Sequence, residues 1–288
     1  LLAPLGVAGT ANQKWHSAEQ CELSILLDRA LAPQRANTNP LLAKEGAPSF
    51  ALADYLCHLN PQSVSELLKA LGPAPKVDDL IGMCSKPPVC PSLTGTDTTD
   101  IQNYENKISQ FRNKGKYGKA MRYAELVLQV RRSAGQPDDW WEVAHARLKA
   151  QTIKTIAGLP VADSEALAAA DRADDEVARA FVEQRYSDAE HLLRDQIAAR
   201  DCLLVEENVD LARSMWILAR VLSRSRNDAC ESERLYCGSL MILRRLFPNG
   251  HPDEADILTN LGILQERCDL AVAEQLLRHA LAADLRLV

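Results

Sequence analysis

Three stretches of this chain repeat one phrase at a period of about forty residues. They read Ala189-Glu190-His191-Leu192-Leu193-Arg194, Ser232-Glu233-Arg234-Leu235-Tyr236 and Ala273-Glu274-Gln275-Leu276-Leu277-Arg278, at steps of 43 and 41 residues. A weaker fourth copy is Tyr117-Gly118-Lys119-Ala120, running on through Tyr123-Ala124-Glu125-Leu126. A unit of that length with no strand pattern inside it is one helix pair. One pair cannot bury both of its faces, so repeated pairs stack into a solenoid. The expected fold is therefore all-α, with an α-solenoid of antiparallel helix pairs over residues 100–288. Ala120 to Ala189 spans 69 residues, which implies an extra helical segment between the first two units.

Proline divides the chain. Ten of its 14 prolines fall at or before Pro91, so residues 1–99 are expected to form an irregular, Pro-rich helical region that caps the N-terminal end of the stack. Helices are expected at 17–31, 49–59 and 63–71. The run Lys86-Pro87-Pro88-Val89-Cys90-Pro91, with the Ser/Thr-rich residues to 99, reads as a linker. From Asp100 the pattern is helical: Tyr104, Ile108 and Phe111 recur at i, i+4 and i+7. Further helices are expected at 140–157, 162–184, 186–203, 209–223, 229–246 and 252–266, and from 270 to the end. On that last helix Leu276, Leu277, Leu281 and Leu285 make an apolar face. It should be covered by further repeats, a second copy or a partner.

A net charge of −6 argues against a general nucleic-acid binder, and no 18-residue apolar run suggests a membrane span. Of the eight cysteines, none forms a CxxC pair. Buried free thiols are one reading and a Cys84–Cys90 disulfide is another. Residues 1–11 carry small residues at Gly9 and Ala11 but no basic region ahead of them. They fit either a fragment start or a signal-peptide remnant, so a cytoplasmic location is favoured and an extracytoplasmic one follows from the second reading. Both ends look cut from a longer polypeptide.

The repeats resemble the tetratricopeptide family, and in particular the long-period form of kinesin light chains. The best stretch is Ser232 to Cys268. Within it, Asn249-Gly250-His251-Pro252-Asp253 is similar to that family's Gly-x-x-His-Pro loop with the Gly displaced, and Thr259-Asn260-Leu261-Gly262 to its Asn-Leu-Gly/Ala core. The segment from Asp139-Trp140-Trp141 to Leu148, with Gly158-Leu159-Pro160, is similar to the entry region of large bacterial proteins that join such repeats to a CHAT-type effector domain. The resemblance covers residues 100–288 and implies a right-handed superhelix with a concave groove. Small residues at Ala120, Ala189, Ser232, Gly262 and Ala273 would let paired helices approach. Leu193, Leu235, Tyr236 and Leu277 would fill the layers between them.

No catalytic constellation, nucleotide loop or metal-ligand spacing is found, so no enzyme activity, cofactor or metal is expected. His251 reads as a loop-geometry residue. The run Asp171-Arg172-Ala173-Asp174-Asp175-Glu176 reads as a solvated helix face, and Trp140-Trp141 as packing anchors. Arg220, Arg224 and Arg226 either complement a helix C-terminus or form an acidic-ligand site. The function implied is a non-catalytic protein–protein interaction scaffold, or alternatively a regulatory arm acting in cis on an effector domain. By resemblance, ligand-holding Asn positions fall at Asn260 and Asn106. Helical spacing adds Ile263 and Arg267, and on the preceding unit Arg213, Trp216 and Arg220. This mix suits an extended peptide of acidic character, with Trp216 as core the competing reading.

Overall fold

The computed structural model describes residues 63–84, 90–204, 208–225, 229–266 and 268–287. All regular structure among them is helical. In chain order the helices are α1 (Val64–Leu71), α2 (Val77–Cys84), α3 (Gly95–Arg112), α4 (Tyr117–Ser133), α5 (Trp141–Ala157), α6 (Val161–Val182), α7 (Tyr186–Leu203), α8 (Val209–Ser225), α9 (Ala229–Leu246), α10 (Pro252–Gln265) and α11 (Leu270–Leu285). The helices expected at 17–31 and 49–59 lie outside the described residues.

Four pairs form the body: α3–α4, α6–α7, α8–α9 and α10–α11. Within pairs the helices run antiparallel. Ser232 Oγ donates to the Ala219 carbonyl at 2.7 Å, while Ser239, two turns later, donates to Ala212, two turns earlier, at 2.6 Å. Adjacent pairs touch through α7 against α8 and α9 against α10. The phrase residues do the close packing. Ala120, Ala189, Ser232 and Ala273 are buried, as are Leu193, Leu235 and Tyr236. Gly262 shows how close: a Cβ there would lie 3.0 Å from Leu277 Cγ.

Turn chemistry sets the pair geometry. Gly115 has φ +64°, with Lys116 N–H on the Phe111 carbonyl and Gly115 N–H on Arg112, a Schellman closure. The α6–α7 turn has the same two bonds, with Gln184 at φ 60° in the glycine position.

The expected extra segment is α5, which packs on α4 and α6. Two expectations need correction. The Ser/Thr-rich stretch before Asp100 is not all linker. Thr94 caps a helix that starts at Gly95, through a capping box in which Asp97 N–H donates to Thr94 Oγ1 at 3.1 Å and Asp97 accepts from Thr94 N–H at 3.0 Å. The described N-terminal helices, α1 and α2, do not pack on the first pair either. α1 packs on α9 and α11, and α2 packs on α11. Leu80 is buried with Leu281 and Ala282, with Met83 and Leu285 beside them. Leu281 and Leu285 of the last helix's apolar face are thus covered by the chain's own residues 77–84, while Leu276 lies in the main core and Leu277 packs on Gly262.

The apolar interior is two clusters. One joins α3, α4, α5 and the start of α6, and the other runs from α6 through α11 and takes in α1. Between them lies a buried polar joint. Arg112 grips Asp171 with two bonds, at 2.9 and 2.7 Å, and reaches Asp210 at 2.7 Å. Tyr117 donates to Asp171 at 3.1 Å, and Arg200 reaches Asp171 at 3.3 Å and also bonds Ser214 and Gln196. The charge run 171–176 is therefore not a solvated face throughout: Asp171 and Asp175 are each only 7% exposed. Burial opposes the charge on Arg112, but Asp171 and Asp210 raise its pKa well above the ordinary value. Burial likewise opposes Asp210, and Arg112 and Arg200 hold it ionised, far below the usual carboxylate range. The joint ties α3 and α4 to α6, α7 and α8.

Six cysteines are described and all are free; only Cys237 is buried, and Cys202, Cys230 and Cys268 are exposed. The buried-thiol reading holds for Cys237, whose burial raises its pKa. No helix among the described residues is long and apolar enough to cross a membrane.

Candidate functional site

Five of the seven proposed ligand residues fall on two helices. Arg213, Trp216 and Arg220 lie along α8, and Asn260 and Ile263 along α10. The two helices pack on each other. Asn106 sits apart, exposed on α3 and hydrogen-bonded by Gln102 at 3.2 Å. Arg267 lies outside the described residues, as does Arg226.

The α8 stripe has two ends with different surroundings. At one end the guanidinium of Arg220 lies over Phe181 of α6, 4.8 Å from the ring centre, and over Trp216, 5.5 Å from its ring. Trp216 itself is core, 9% exposed, with an indole N–H that has no partner. Its apolar body supports Arg220 rather than offering a free surface. Arg220 is half-buried, and its charge reaches Asp256 on α10. Asn260, one turn on, donates to the Asp256 backbone carbonyl at 2.7 Å. Ile263, a further turn along, is 59% exposed. Burial, aided by the negative charge of Asp253, pushes the Asp256 carboxyl up to about 7. Phe181 and Asp256 were missed by sequence reasoning. Asp256 could have been found at i−4 from Asn260 on the same face, whereas Phe181 comes from another unit and carries no local signal.

At the other end of the stripe Arg213 is exposed, and its charge reaches His145 of α5. His145 of α5 stacks on His251, the residue that caps α10, with ring centres 5.2 Å apart and Nδ1 to Nε2 at 3.0 Å. His251 Nδ1 accepts the Asp253 N–H at 3.2 Å, so its proton sits on Nε2 and is donated to His145. Phe247 packs on His251 at 4.4 Å, and Trp141 meets its edge at 5.5 Å. Lys149, one turn beyond His145, pairs with Glu105 of α3 at 2.5 Å. Burial lowers both imidazole pKa values, that of His145 to about 3, and the Lys149 and His251 charges add to the effect on His145. The pair is therefore neutral. His251 serves loop geometry as expected, as the N-cap of α10, and it also anchors α5. Trp141 packs as expected.

Among the described residues no group of three or more His, Cys, Asp or Glu side chains could hold a metal ion. No known family model matches the chain, and no curated protein does either.

Proposed function

We propose that the stacked helix pairs form a tetratricopeptide-like α-solenoid that acts as a non-catalytic interaction scaffold. The partner is a peptide or domain with an acidic group, taken on the face made by α6, α8 and α10. The observation that carries this reading is the seating of Arg220. Its guanidinium lies over Phe181 and Trp216, half-exposed, and Ile263 on α10 projects into solvent. An arginine preorganised on aromatic rings beside an exposed aliphatic side chain has the composition of an interface hot spot. Asp256 opposes an acidic partner less than an ordinary carboxylate would, because burial pushes its pKa up to about 7. The partner track runs from Arg220 towards Asn260 and Ile263. It does not reach Asn106, because α5 crosses between α3 and the α9–α10 loop.

The test is selection from a random-peptide display library against the full chain. Acidic peptides should enrich, and Arg220→Ala and Asn260→Ala should each weaken their binding without shifting the melting temperature. Asn106→Ala should leave binding unchanged. Selected peptides that bind Arg220→Ala as well as the parent chain would remove the proposed face.

A further inference from the structure

The lysines of this chain are unevenly placed. Six of the eleven lie between Lys107 and Lys154, and none follows Lys154. From Lys107 to Ala124 there is no acidic residue, in a chain of net charge −6. The fold gathers part of this run around the α3–α4 turn. A surface cleft of about 430 Å³ opens there, with Lys116, Gly118, Lys119 and Arg122 on one wall and Ser164 of α6 on the other. Among the described residues, no carboxylate pairs with Lys116, Lys119 or Arg122; Lys119 leans over the Phe111 ring at 5.7 Å. Arginines elsewhere are widely paired, including Arg131, Arg185, Arg194 and Arg278. Three cations lining one cleft without a counter-charge repel one another, and an anion would relieve that repulsion.

We propose that this cleft binds a phosphate monoester. A single carboxylate brings one negative charge, whereas a phosphate monoester brings about 1.5 to 2 negative charges at neutral pH, on three acceptor oxygens. Three cationic side chains lining one cleft match the second. The backbone agrees with the side chains. α4 begins in this wall with Lys116 making no side-chain cap, so the positive end of the helix faces the same space. Gly118, on the first turn, has no atom within 4 Å of where a Cβ would sit, leaving room for an oxygen to approach the chain. The overall negative charge of the protein does not suit an extended polyanion. The cleft is on a different surface from the Arg220 face, so the two readings stand or fall separately.

Titration calorimetry on the full chain tests this with two probes: pyrophosphate, and a serine peptide with and without a phosphate on its serine. Saturable binding of pyrophosphate or of the phosphorylated peptide is expected. Lys116→Ala and Arg122→Ala should each weaken it about tenfold, the loss of one charge-assisted contact. Their melting temperatures should be unchanged, since both side chains lie at the surface. Lys107→Ala, an exposed cation outside the cleft, should have no effect. If the phosphopeptide binds more tightly than pyrophosphate, the phosphate is carried by a protein; if not, by a small molecule. No saturable binding by either probe, or equal weakening by Lys107→Ala, overturns the site.

Discussion

Replacing Asp171 by Ala is the sharpest perturbation of the joint between the two apolar clusters. Asp171 is 7% exposed and receives four hydrogen bonds, two from Arg112, one from Tyr117 and one from Arg200. Both guanidinium groups are buried, Arg112 at 8% exposure and Arg200 at 3%. Removing one partner of a buried ion pair costs about 3–5 kcal/mol, because the other charge stays buried without compensation. Arg112 keeps Asp210, and Arg200 keeps Ser214 and Gln196, so the loss belongs at the low end, about 3 kcal/mol. For a chain of this size that is a fall of roughly 5–8 °C in the thermal midpoint. Circular dichroism melts at pH 7 would measure it, with Arg185→Ala as the comparison. Arg185 touches Glu176, Glu183 and Asp188 at 2.6–2.8 Å, but its side chain is 38% exposed, so solvent screens the pairs and the midpoint should barely move. If Asp171→Ala melted like Arg185→Ala, the reasoning would fail: the contacts would be present but not desolvated.

Gly262→Ala should destabilise by about 1–3 kcal/mol in urea unfolding, through overpacking, because the new Cβ meets Leu277 at 3.0 Å and the Ala273 carbonyl at 3.4 Å. Leu80→Ala should cost about 2–5 kcal/mol if α2 is bound as firmly as a core helix, and should expose Leu281 and Leu285 to dye binding and aggregation; unchanged melting and dye binding would detach α2 from the last pair. The pH dependence has two opposing parts. His145, held to about 3 when folded against an ordinary 6.5, contributes stability that is complete above pH 6.5 and lost as pH falls from there towards 3, so His145→Gln should flatten the acid side of a melting-temperature profile. Asp256, raised to about 7 against an ordinary 3.8, contributes stability that is complete at acid pH and lost as pH rises from 3.8 through 7, so Asp256→Asn should lose less stability than the parent chain as pH rises through that window. Parallel profiles for both variants and the parent chain would contradict both assignments.

Much of the helix inventory was legible because punctuation and period agreed. Pro160 and Pro252 open helices within a residue or two of where the pattern places them, and Gly115 closes α3. The start of α3 was legible too, in Thr94-x-x-Asp97, but that capping box lies in a Ser/Thr/Gly-rich stretch whose composition reads as loop. The burial of Asp171 had half a signal. It follows Leu167 at i+4 and so shares the buried stripe of α6, yet its partner Arg112 is 59 residues away. Charge type spoke for solvent, and only the fold supplied the counter-charge. The placement of α1 and α2 had no local signal at all. Val64 donates its N–H to Glu233, 169 residues on, and His279 meets the Gly72 carbonyl from 207 residues away.

The same long-range closure shapes the candidate face. Asn249 Nδ2 donates to the Asp139 carbonyl at 3.3 Å, and His145 stacks on His251, so the segment after the first pair is fastened to the loop that opens the last. An open stack of pairs can flex along its length, and a ligand that spans it must immobilise that motion. Here α5 already joins α3 to the α9–α10 loop, and α1 and α2 hold α9 and α11. On the proposed reading, the cost of ordering is met in folding and leaves Phe181, Trp216, Arg220 and Asn260 preorganised. A short peptide contacting only α6, α8 and α10 is expected, on that reading, to bind with few contacts.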